Sequence, residues 1–142
     1  MFVSDVMTTN PVTIGPNDTV RLAIACMESI DCRRLPVLDD SGGLIGIITD
    51  RDVRLGLHST YISHLSKPDN EILDSIKVRD CMTPAPVIVE PTTDIVQATS
   101  LMIRYHIGGL PVLLGESLVG ILTATDVMSA FVRQFQGAKT HS

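Results

Sequence analysis

Gly46-Ile-Ile-Thr-Asp-Arg-Asp-Val53 decides the fold, because the chain contains this stretch again as Gly120-Ile-Leu-Thr-Ala-Thr-Asp-Val127. Two other segments recur at a separation of 75 residues (78 − 3 and 110 − 35): Val3-Ser-Asp-Val-Met-Thr8 with Val78-Arg-Asp-Cys-Met-Thr83, and Leu35-Pro-Val-Leu38 with Leu110-Pro-Val-Leu113. The glycine stretches are 74 residues apart (120 − 46), which indicates that one hairpin is a residue shorter. One copy of such a repeat usually cannot bury its apolar face alone. With only two copies, we expect a closed, pseudo-two-fold pair with ligand sites in the clefts between the copies.

Length and composition indicate one compact globular domain. The chain has 142 residues, of which 44% are hydrophobic, and this is enough for a buried core. A net charge of −5 and few aromatic residues (no Trp, two Tyr and three Phe) argue against nucleic-acid binding. No apolar run reaches the roughly 18 residues of a membrane span, and the first residues do not resemble a secretory signal. The three cysteines lack the spacing of a zinc site or a disulfide framework, so we expect a cytoplasmic protein without a membrane partner.

Both copies show the same order of local signals, and together they predict an α+β fold of two tandem β-α-β-β-α repeats. The elements predicted in the first copy are strands at 11–14, 35–38 and 44–48, a helix at 20–30, and a helix from Thr49 or Asp50 to about residue 57. Those predicted in the second copy are strands at 86–89, 110–114 and 118–122 and helices at 94–105 and 124–135. The predicted divisions are repeat 1 at 1–57, a linker with a short helix at 58–77, repeat 2 at 78–135 and a flexible tail at 136–142.

The junction between the glycine strand and the following helix carries a T-x-x-D pattern in both copies. Thr49 and Asp52 form it in the first copy, and Thr123 and Asp126 form it in the second. One interpretation is a capping box, in which the hydroxyl and the carboxylate satisfy free N–H groups at the helix start. The other is a ligand site, in which the carboxylate accepts hydrogen bonds from vicinal sugar hydroxyls and the helix start receives a phosphate. The two interpretations are compatible.

Taken together, the two copies resemble a pair of cystathionine-β-synthase (CBS) domains, also called a Bateman module. The segments that carry the resemblance in the first copy are Val6-Met7-Thr8, Pro11-Val12, Leu35-Pro36-Val37 and Gly46-Ile-Ile-Thr-Asp-Arg-Asp52. Those of the second copy are Cys81-Met82-Thr83, Pro86-Val87, Leu110-Pro111-Val112 and Gly120-Ile-Leu-Thr-Ala-Thr-Asp126. Because the ordered set occurs twice and covers nearly the whole chain, the resemblance is specific.

The resemblance implies that two related clefts bind adenosyl ligands such as AMP, ADP, ATP, S-adenosylmethionine or a dinucleotide such as NAD. It also implies that each T-x-x-D meets a ribose, that two strands enclose the base, and that nearby basic residues meet phosphate. Base contacts would come from Thr13, Ile14 and Ile48 in one cleft and from Ile88, Val89 and Leu122 in the other. The remaining residues of the implied nucleotide-binding set are Arg33, Arg34, Leu35, Thr49, Arg51, Asp52, Gly109, Leu110, Thr123 and Asp126.

The two copies differ in charge at the implied phosphate positions. Arg33, Arg34 and Arg51 of the first copy are replaced by Gly108, Gly109 and Thr125 in the second. Arginine favours bidentate contact with phosphate, so we expect the first cleft to prefer a phosphorylated nucleotide. The second cleft would be empty or hold a less charged ligand. Arg33 and Arg34 are adjacent, so they cannot point in the same direction from extended backbone.

The sequence shows no catalytic constellation: no nucleophile elbow, no P-loop and no set of metal ligands. We therefore expect no enzyme, no catalytic cofactor and no metal. The leading hypothesis is a regulatory module that senses adenine nucleotides and signals to an unidentified protein target through a conformational change or a change of its homodimer. Two alternatives remain open. One is a dimerisation or interaction scaffold with vestigial sites, and the other is a binder of S-adenosylmethionine or a dinucleotide.

Overall fold

A computed structural model describes residues 1–59 and 70–140 of the chain. A 3₁₀ turn at Val3–Asp5 opens the chain. The strands are β1 Thr8–Thr9, β2 Arg34–Leu38, β3 Leu44–Thr49, β4 Thr83–Pro84, β5 Gly109–Leu114 and β6 Ser117–Thr123. The helices are α1 Val20–Ser29, α2 Asp50–Ser59, α3 Asn70–Ser75, α4 Val78–Cys81, α5 Ile95–Tyr105 and α6 Ala124–Thr140. These elements confirm the predicted α+β content and the tandem repeat.

The described chain forms two compact units, whereas length alone suggested one domain. Unit 1 comprises Met1–Pro11 and Val87–Ser142, and unit 2 comprises Val12–Pro86. The units therefore do not coincide with the sequence repeats, because each repeat gives its first segment to the other unit. Strand β1 pairs with β6 of the second repeat, and β4 pairs with β3 of the first.

Unit 2 contains a three-stranded antiparallel sheet in the order β2-β3-β4. Ile14 extends it by a single parallel bridge to Val37, with its backbone N–H donating to the Pro36 carbonyl at 3.0 Å. The predicted strand at 11–14 is thus reduced to one bridging residue. The core under the sheet is formed by side chains of α1, β2, β3 and α2, of the segment between α3 and α4, and of the first residue of α4: Val20, Ala23, Met27, Leu35, Val37, Ile48, Val53, Ile76 and Val78.

Unit 1 repeats this arrangement with the order β1-β6-β5. Val89 bridges to Val112 as Ile14 bridges to Val37, and again the predicted strand, here 86–89, is reduced to one residue. Its core consists of the matching set, completed by residues of the N-terminal segment: Val3, Val6, Val89, Ala98, Met102, Leu110, Val112, Leu122 and Ala130.

The segments around β1 and β4, each of which pairs with the hairpin of the other repeat, are called here the exchanged segments. A glycine on the middle strand of each sheet leaves room for the exchanged segment beside it. A Cβ atom on Gly46 would lie 2.7 Å from the Met82 sulfur and 3.0 Å from the Thr83 carbonyl oxygen. A Cβ atom on Gly120 would lie 2.7 Å from the Met7 sulfur and 2.9 Å from the Thr8 carbonyl oxygen. In each unit the Met-Thr pair of one repeat therefore packs against the glycine of the other repeat, because only glycine leaves room for so close an approach.

Side chains cap the starts of α1 and α5, and the end of α6 differs from prediction. Thr19 accepts a hydrogen bond from the Leu22 N–H at 3.1 Å, and Asp94 accepts one from the Val96 N–H at 2.8 Å. Helix α6 continues to Thr140, whereas the sequence suggested a helix end near Phe135 and a flexible tail from 136. Within the predicted linker, the short helix is α3, which begins at Asn70, and residues 60–69 lie outside the described residues.

Candidate functional site

Both T-x-x-D segments form capping boxes with nearly identical geometry. The Asp52 N–H donates to Thr49 Oγ1 at 3.0 Å, and the Thr49 N–H donates to Asp52 Oδ2 at 3.0 Å. The corresponding distances for Thr123 and Asp126 are 3.1 and 3.0 Å. The structural interpretation of the motif is therefore confirmed: two otherwise free N–H groups at each helix start are satisfied reciprocally.

A second threonine from the exchanged segment also binds each carboxylate, a contact that the sequence did not predict. Thr83 Oγ1 lies 3.3 and 3.4 Å from the two carboxylate oxygens of Asp52. Thr8 Oγ1 lies 3.1 and 3.3 Å from those of Asp126. The one available signal was the Met-Thr pair in both copies, but no local pattern says that its hydroxyl reaches the opposite repeat's aspartate.

These contacts fix the orientation of each carboxylate without exhausting its hydrogen-bonding capacity. An ionised carboxylate offers about four lone-pair sites. Asp52 receives donors from Thr49 and Thr83, and both Asp52 and Asp126 are only partly buried. Each aspartate can therefore accept further hydrogen bonds from a ligand that presents neighbouring hydroxyls.

The three arginines of the first copy do not converge on one point. Arg34 lies directly opposite Thr49 in the register of β2 and β3, so both side chains lie on the same face of the sheet. Arg51 follows Thr49 at the start of α2, is exposed, and its side chain makes no hydrogen bond or ion pair with the described residues. Arg33 instead lines a cavity of about 370 Å³ between α1 and α2 that includes neither Thr49 nor Asp52. Arg33 lies in a bend before β2, whereas Arg34 is the first residue of that strand.

At the matching positions unit 1 has the same strand register, with Gly108, Gly109 and Thr125 in place of the three arginines. Gly109 pairs with Thr123 as Arg34 pairs with Thr49. The Ala124 N–H donates to the Gly108 carbonyl at 2.9 Å, as the Asp50 N–H does to the Arg33 carbonyl at 2.9 Å. The charge difference between the two copies thus lies on segments with matching register and matching backbone hydrogen bonds.

Most of the apolar residues in the implied nucleotide-binding set lie in the cores of the two units. Leu35, Ile48, Leu110 and Leu122 are 0% exposed, and Ile14 and Val89 are 6% and 5% exposed. The side chains of the four leucine and isoleucine residues have no surface for a ligand in this structure, because the strands that carry them are covered by their own helices. Of the proposed base contacts only Thr13 and Ile88 are exposed.

The cysteines are half-buried thiols, and burial raises the pKa of both Cys32 and Cys81. A raised thiol pKa lowers the fraction of reactive thiolate at neutral pH. Within residues 1–59 and 70–140, no three His, Cys, Asp or Glu side chains are grouped so that they could hold a metal ion. In the same part of the chain, no helix is both long and apolar enough to cross a membrane.

Each unit has a three-stranded sheet with helices, a T-x-x-D box after its glycine strand and a Leu-Pro-Val strand paired with that glycine strand, and this repeated arrangement defines a tandem CBS fold. The CBS domain family matches residues 3–59 and 78–133, so the chain belongs to this family. A CBS domain-containing protein of Dictyostelium discoideum is 34% identical over 134 residues, which are 94% of this chain and 92% of that protein. Other relatives include inosine-5′-monophosphate dehydrogenases, but the chain covers only 20–22% of their length.

Solved structures agree with this assignment. CBSX2, crystallised in complex with AMP, is 29% identical, with a TM-score of 0.76 over 93% of this chain and 96% of that one. A CBS domain pair crystallised with 5′-methylthioadenosine and S-adenosyl-L-methionine has a TM-score of 0.79 over 94% of this chain and 98% of that one. At 23% identity, the second likeness shows the fold alone.

Proposed function

We propose that the chain is a regulatory module that binds an adenosyl ligand, with an adenine nucleotide as the preferred class. The observation that carries the proposal is the aspartate of each T-x-x-D, which two threonines hold in place while part of its carboxylate stays accessible. Such a carboxylate suits the vicinal hydroxyls of a ribose. The AMP complex of the related CBSX2 supports the same ligand class.

The two units should differ in the charge of the ligand they prefer. In unit 2, Arg34 lies beside Thr49 and Arg51 is an exposed cation at the same helix start, which suits a phosphate. In unit 1, Gly109 and Thr125 take these positions, which suits a less charged ligand such as S-adenosylmethionine. Arg33 lines the cavity between α1 and α2, so we expect it to contribute least to phosphate binding.

Thermal unfolding of the ligand-free protein with AMP, ADP, ATP, S-adenosylmethionine, NAD and GTP tests the proposal. A ligand at about 100 times its dissociation constant stabilises the folded state by about 2.7 kcal/mol. Asp52→Asn keeps an oxygen acceptor for the capping box but removes the charge, and it should abolish the nucleotide shift assigned to unit 2. Arg51→Thr installs the residue of unit 1 and should weaken phosphorylated ligands selectively. Arg21→Ala, which removes an exposed cation paired with Asp74 at 3.1 Å, is the matched control.

A dimerisation scaffold with vestigial sites is the second candidate, and exposed apolar side chains on both long helices of unit 1 favour it. Val96 and Ile103 are each 71% exposed on α5, and Phe131 is 62% exposed on α6. The two functions combine if ligand binding changes a homodimer, since a ligand shifts an equilibrium only by preferring one state. If no ligand stabilised the protein and the dimer were stable, only the scaffold function would be supported.

A further inference from the structure

Unit 2 contains a cavity of about 370 Å³ between α1 and α2, and the proposed nucleotide site does not use it. Its walls include neither Thr49 nor Asp52, which carry that proposal, whereas Arg33 is one of its lining residues. A volume of this size lies in the range of small-molecule pockets. The cavity is therefore a candidate site for a second ligand, and its lining defines the chemistry of that ligand.

The inner part of the cavity is apolar. Met27 and Val53 are 6% and 5% exposed, and the half-buried Ile24 and Leu57 pack against the same core. Cys32 adds a neutral side chain, because burial raises the pKa of its thiol. The interior thus suits an aliphatic group and offers no charged partner to a ligand.

The mouth of the cavity carries charges of both signs. Glu28, Asp31, Arg33 and Arg54 are exposed, and Asp50 is half-buried. Arg54 lies 3.7 Å from Asp50, so these two charges are matched within α2. Glu28, Asp31 and Arg33 form no ion pair with any residue in the described part of the chain. The mouth therefore presents two carboxylates and one guanidinium that are available to a ligand.

Unit 1 repeats the backbone elements around this place but not the charges at the mouth. At offsets of 75 and 74 residues, the positions of the five charged residues are occupied by Ile103, His106, Gly108, Ala124 and Met128. The inner positions stay apolar, with Met102 and Val127 in place of Met27 and Val53. The fold does not require acids and arginines here, so the charged mouth over an apolar interior is a property of unit 2 alone.

We infer that the cavity between α1 and α2 binds a free α-amino acid with an aliphatic side chain. The side chain of the ligand packs against Met27 and Val53. The α-carboxylate of the ligand pairs with Arg33, because a guanidinium suits bidentate contact with a carboxylate. The α-ammonium group pairs with Glu28 and Asp31. This second site is separate from the nucleotide proposal, whose phosphate contacts are assigned to Arg34 and Arg51.

The charges at the mouth select a zwitterion over other small amphiphiles. An aliphatic carboxylate without an ammonium group would meet the like charges of Glu28 and Asp31, and an aliphatic amine would leave Arg33 without a partner. A purely apolar molecule would shield all three charged groups from water and pair with none of them. Only a ligand with both head groups complements both signs.

Isothermal titration calorimetry of the full chain tests the inference with L-leucine and three analogues. The analogue 4-methylpentanoate lacks the ammonium group, isoamylamine lacks the carboxylate, and glycine lacks the aliphatic side chain. L-leucine should bind at least about tenfold more tightly than each analogue, because each has lost one charge-assisted contact or the apolar contact.

Two variants remove the protein partners of the two head groups separately. Arg33→Gln should weaken the binding of L-leucine at least about tenfold and leave that of isoamylamine, which has no carboxylate, unchanged. Glu28→Gln combined with Asp31→Asn should weaken L-leucine but not 4-methylpentanoate. Arg21→Gln is the matched control, because Arg21 is exposed on α1 outside the cavity and pairs with Asp74.

The altered residues are exposed, so the variants should keep the far-UV circular dichroism spectrum of the parent protein. The absence of binding heat with L-leucine up to about 10 mM would overturn the inference, as would leucine binding that Arg33→Gln leaves unchanged. Leucine binding that Asp52→Asn abolishes and Arg33→Gln retains would place the amino acid in the nucleotide site, which overturns it as well. These titrations contain no nucleotide, so their failure would leave the nucleotide proposal standing.

Discussion

Units 1 and 2 share a scaffold and differ in what they present to a ligand or partner. The capping boxes agree within 0.1 Å, and the glycine, methionine and threonine contacts of the exchanged segments recur in both. By contrast, the positions of Arg34 and Arg51 in the first copy are occupied by Gly109 and Thr125 in the second. The comparison shows that a small set of repeated residues fixes the backbone, which leaves neighbouring side chains free to give the units different chemistry.

The hairpins differ in a way that explains the change of offset from 75 to 74. Between β2 and β3, the Asp39 carboxylate accepts hydrogen bonds from the Ser41 N–H, the Ser41 hydroxyl and the Gly43 N–H at 3.0, 2.7 and 2.9 Å. The Ser41 hydroxyl and these N–H groups lower the pKa of Asp39, so its contribution to stability is lost only as pH falls through that lowered pKa. Between β5 and β6 the turn is Gly115-Glu116, with a φ of 63° at Gly115 that suits a tight hairpin.

The largest effect is expected where the scaffolds are most alike, at Gly46 and Gly120. Gly46→Ala and Gly120→Ala should each destabilise the protein by about 1–3 kcal/mol in urea unfolding, because the new Cβ meets a methionine sulfur and a backbone carbonyl. Where a strand has room, the same change stabilises by roughly 0.5–1 kcal/mol, so the sign of the change is decisive.

A double variant separates the two contacts. Met82→Ala removes the sulfur that would lie 2.7 Å from a Cβ atom at residue 46, but the Thr83 carbonyl oxygen at 3.0 Å remains. Gly46→Ala should therefore still destabilise the Met82→Ala background, by less than in the parent protein. A neutral or stabilising result in both backgrounds would show that the exchanged strand is not closely held.

The order of elements could be predicted from the sequence, but the exchange of segments could not. The local signals that recur in both copies placed α1, α5 and both hairpins. Nothing local distinguishes pairing of Thr8 with the hairpin of its own repeat from pairing with the other, since both offer a Gly-Ile strand. The threonine contacts to Asp52 and Asp126 follow from the exchange and were missed for the same reason.

The candidate site was predictable in its polar part and less so in its apolar part. The T-x-x-D geometry follows from helix-capping chemistry. The different surroundings of Arg33 and Arg34 have another cause than the predicted one, because β2 begins at Arg34 and Arg33 lies in a bend before it. Ile48 and Leu122 were assigned to a pocket wall, but apolar runs in strands do not say which face a side chain covers. Both residues are fully buried in the cores of their own units.

An intermediate effect is expected where the exchanged threonines hold the aspartates. Thr8→Val and Thr83→Val each remove one hydroxyl donor and should cost about 0.5–1.5 kcal/mol in urea unfolding. The loss should be larger for Thr8, whose shorter distance to Asp126 is 3.1 Å, than for Thr83, whose shorter distance to Asp52 is 3.3 Å.

Thr9→Val is the matched control for this pair. Thr9 adjoins Thr8 in β1, and its hydroxyl has no hydrogen-bond partner among the described residues. Thr9→Val should leave the free energy of unfolding nearly unchanged. Equal losses for Thr8→Val and Thr9→Val would mean that the contact with Asp126 adds nothing and that strand propensity alone is being measured.

The smallest effect concerns a backbone strain that the two units handle differently. Asn10 and Ala85 occupy matching positions after β1 and β4, with φ of 50° and 47°. Asparagine adopts this left-handed conformation at a lower energetic cost than alanine. Ala85→Asn should therefore stabilise the protein by about 0.5–1 kcal/mol, and Asn10→Ala should destabilise it by a similar amount.

Asn10 and Ala85 are both exposed, so the two substitutions change the energy of the backbone conformation and leave core packing unaffected. At this chain length a change of 1 kcal/mol shifts the melting temperature by about 2–4 °C, which thermal unfolding resolves. A higher melting temperature for Ala85→Asn and a lower one for Asn10→Ala would show that the strain lies at Ala85, in the segment of the second repeat. If both substitutions shifted the melting temperature in the same direction, the difference would lie in the unfolded chain or in local solvation, and the two turns would be equally relaxed.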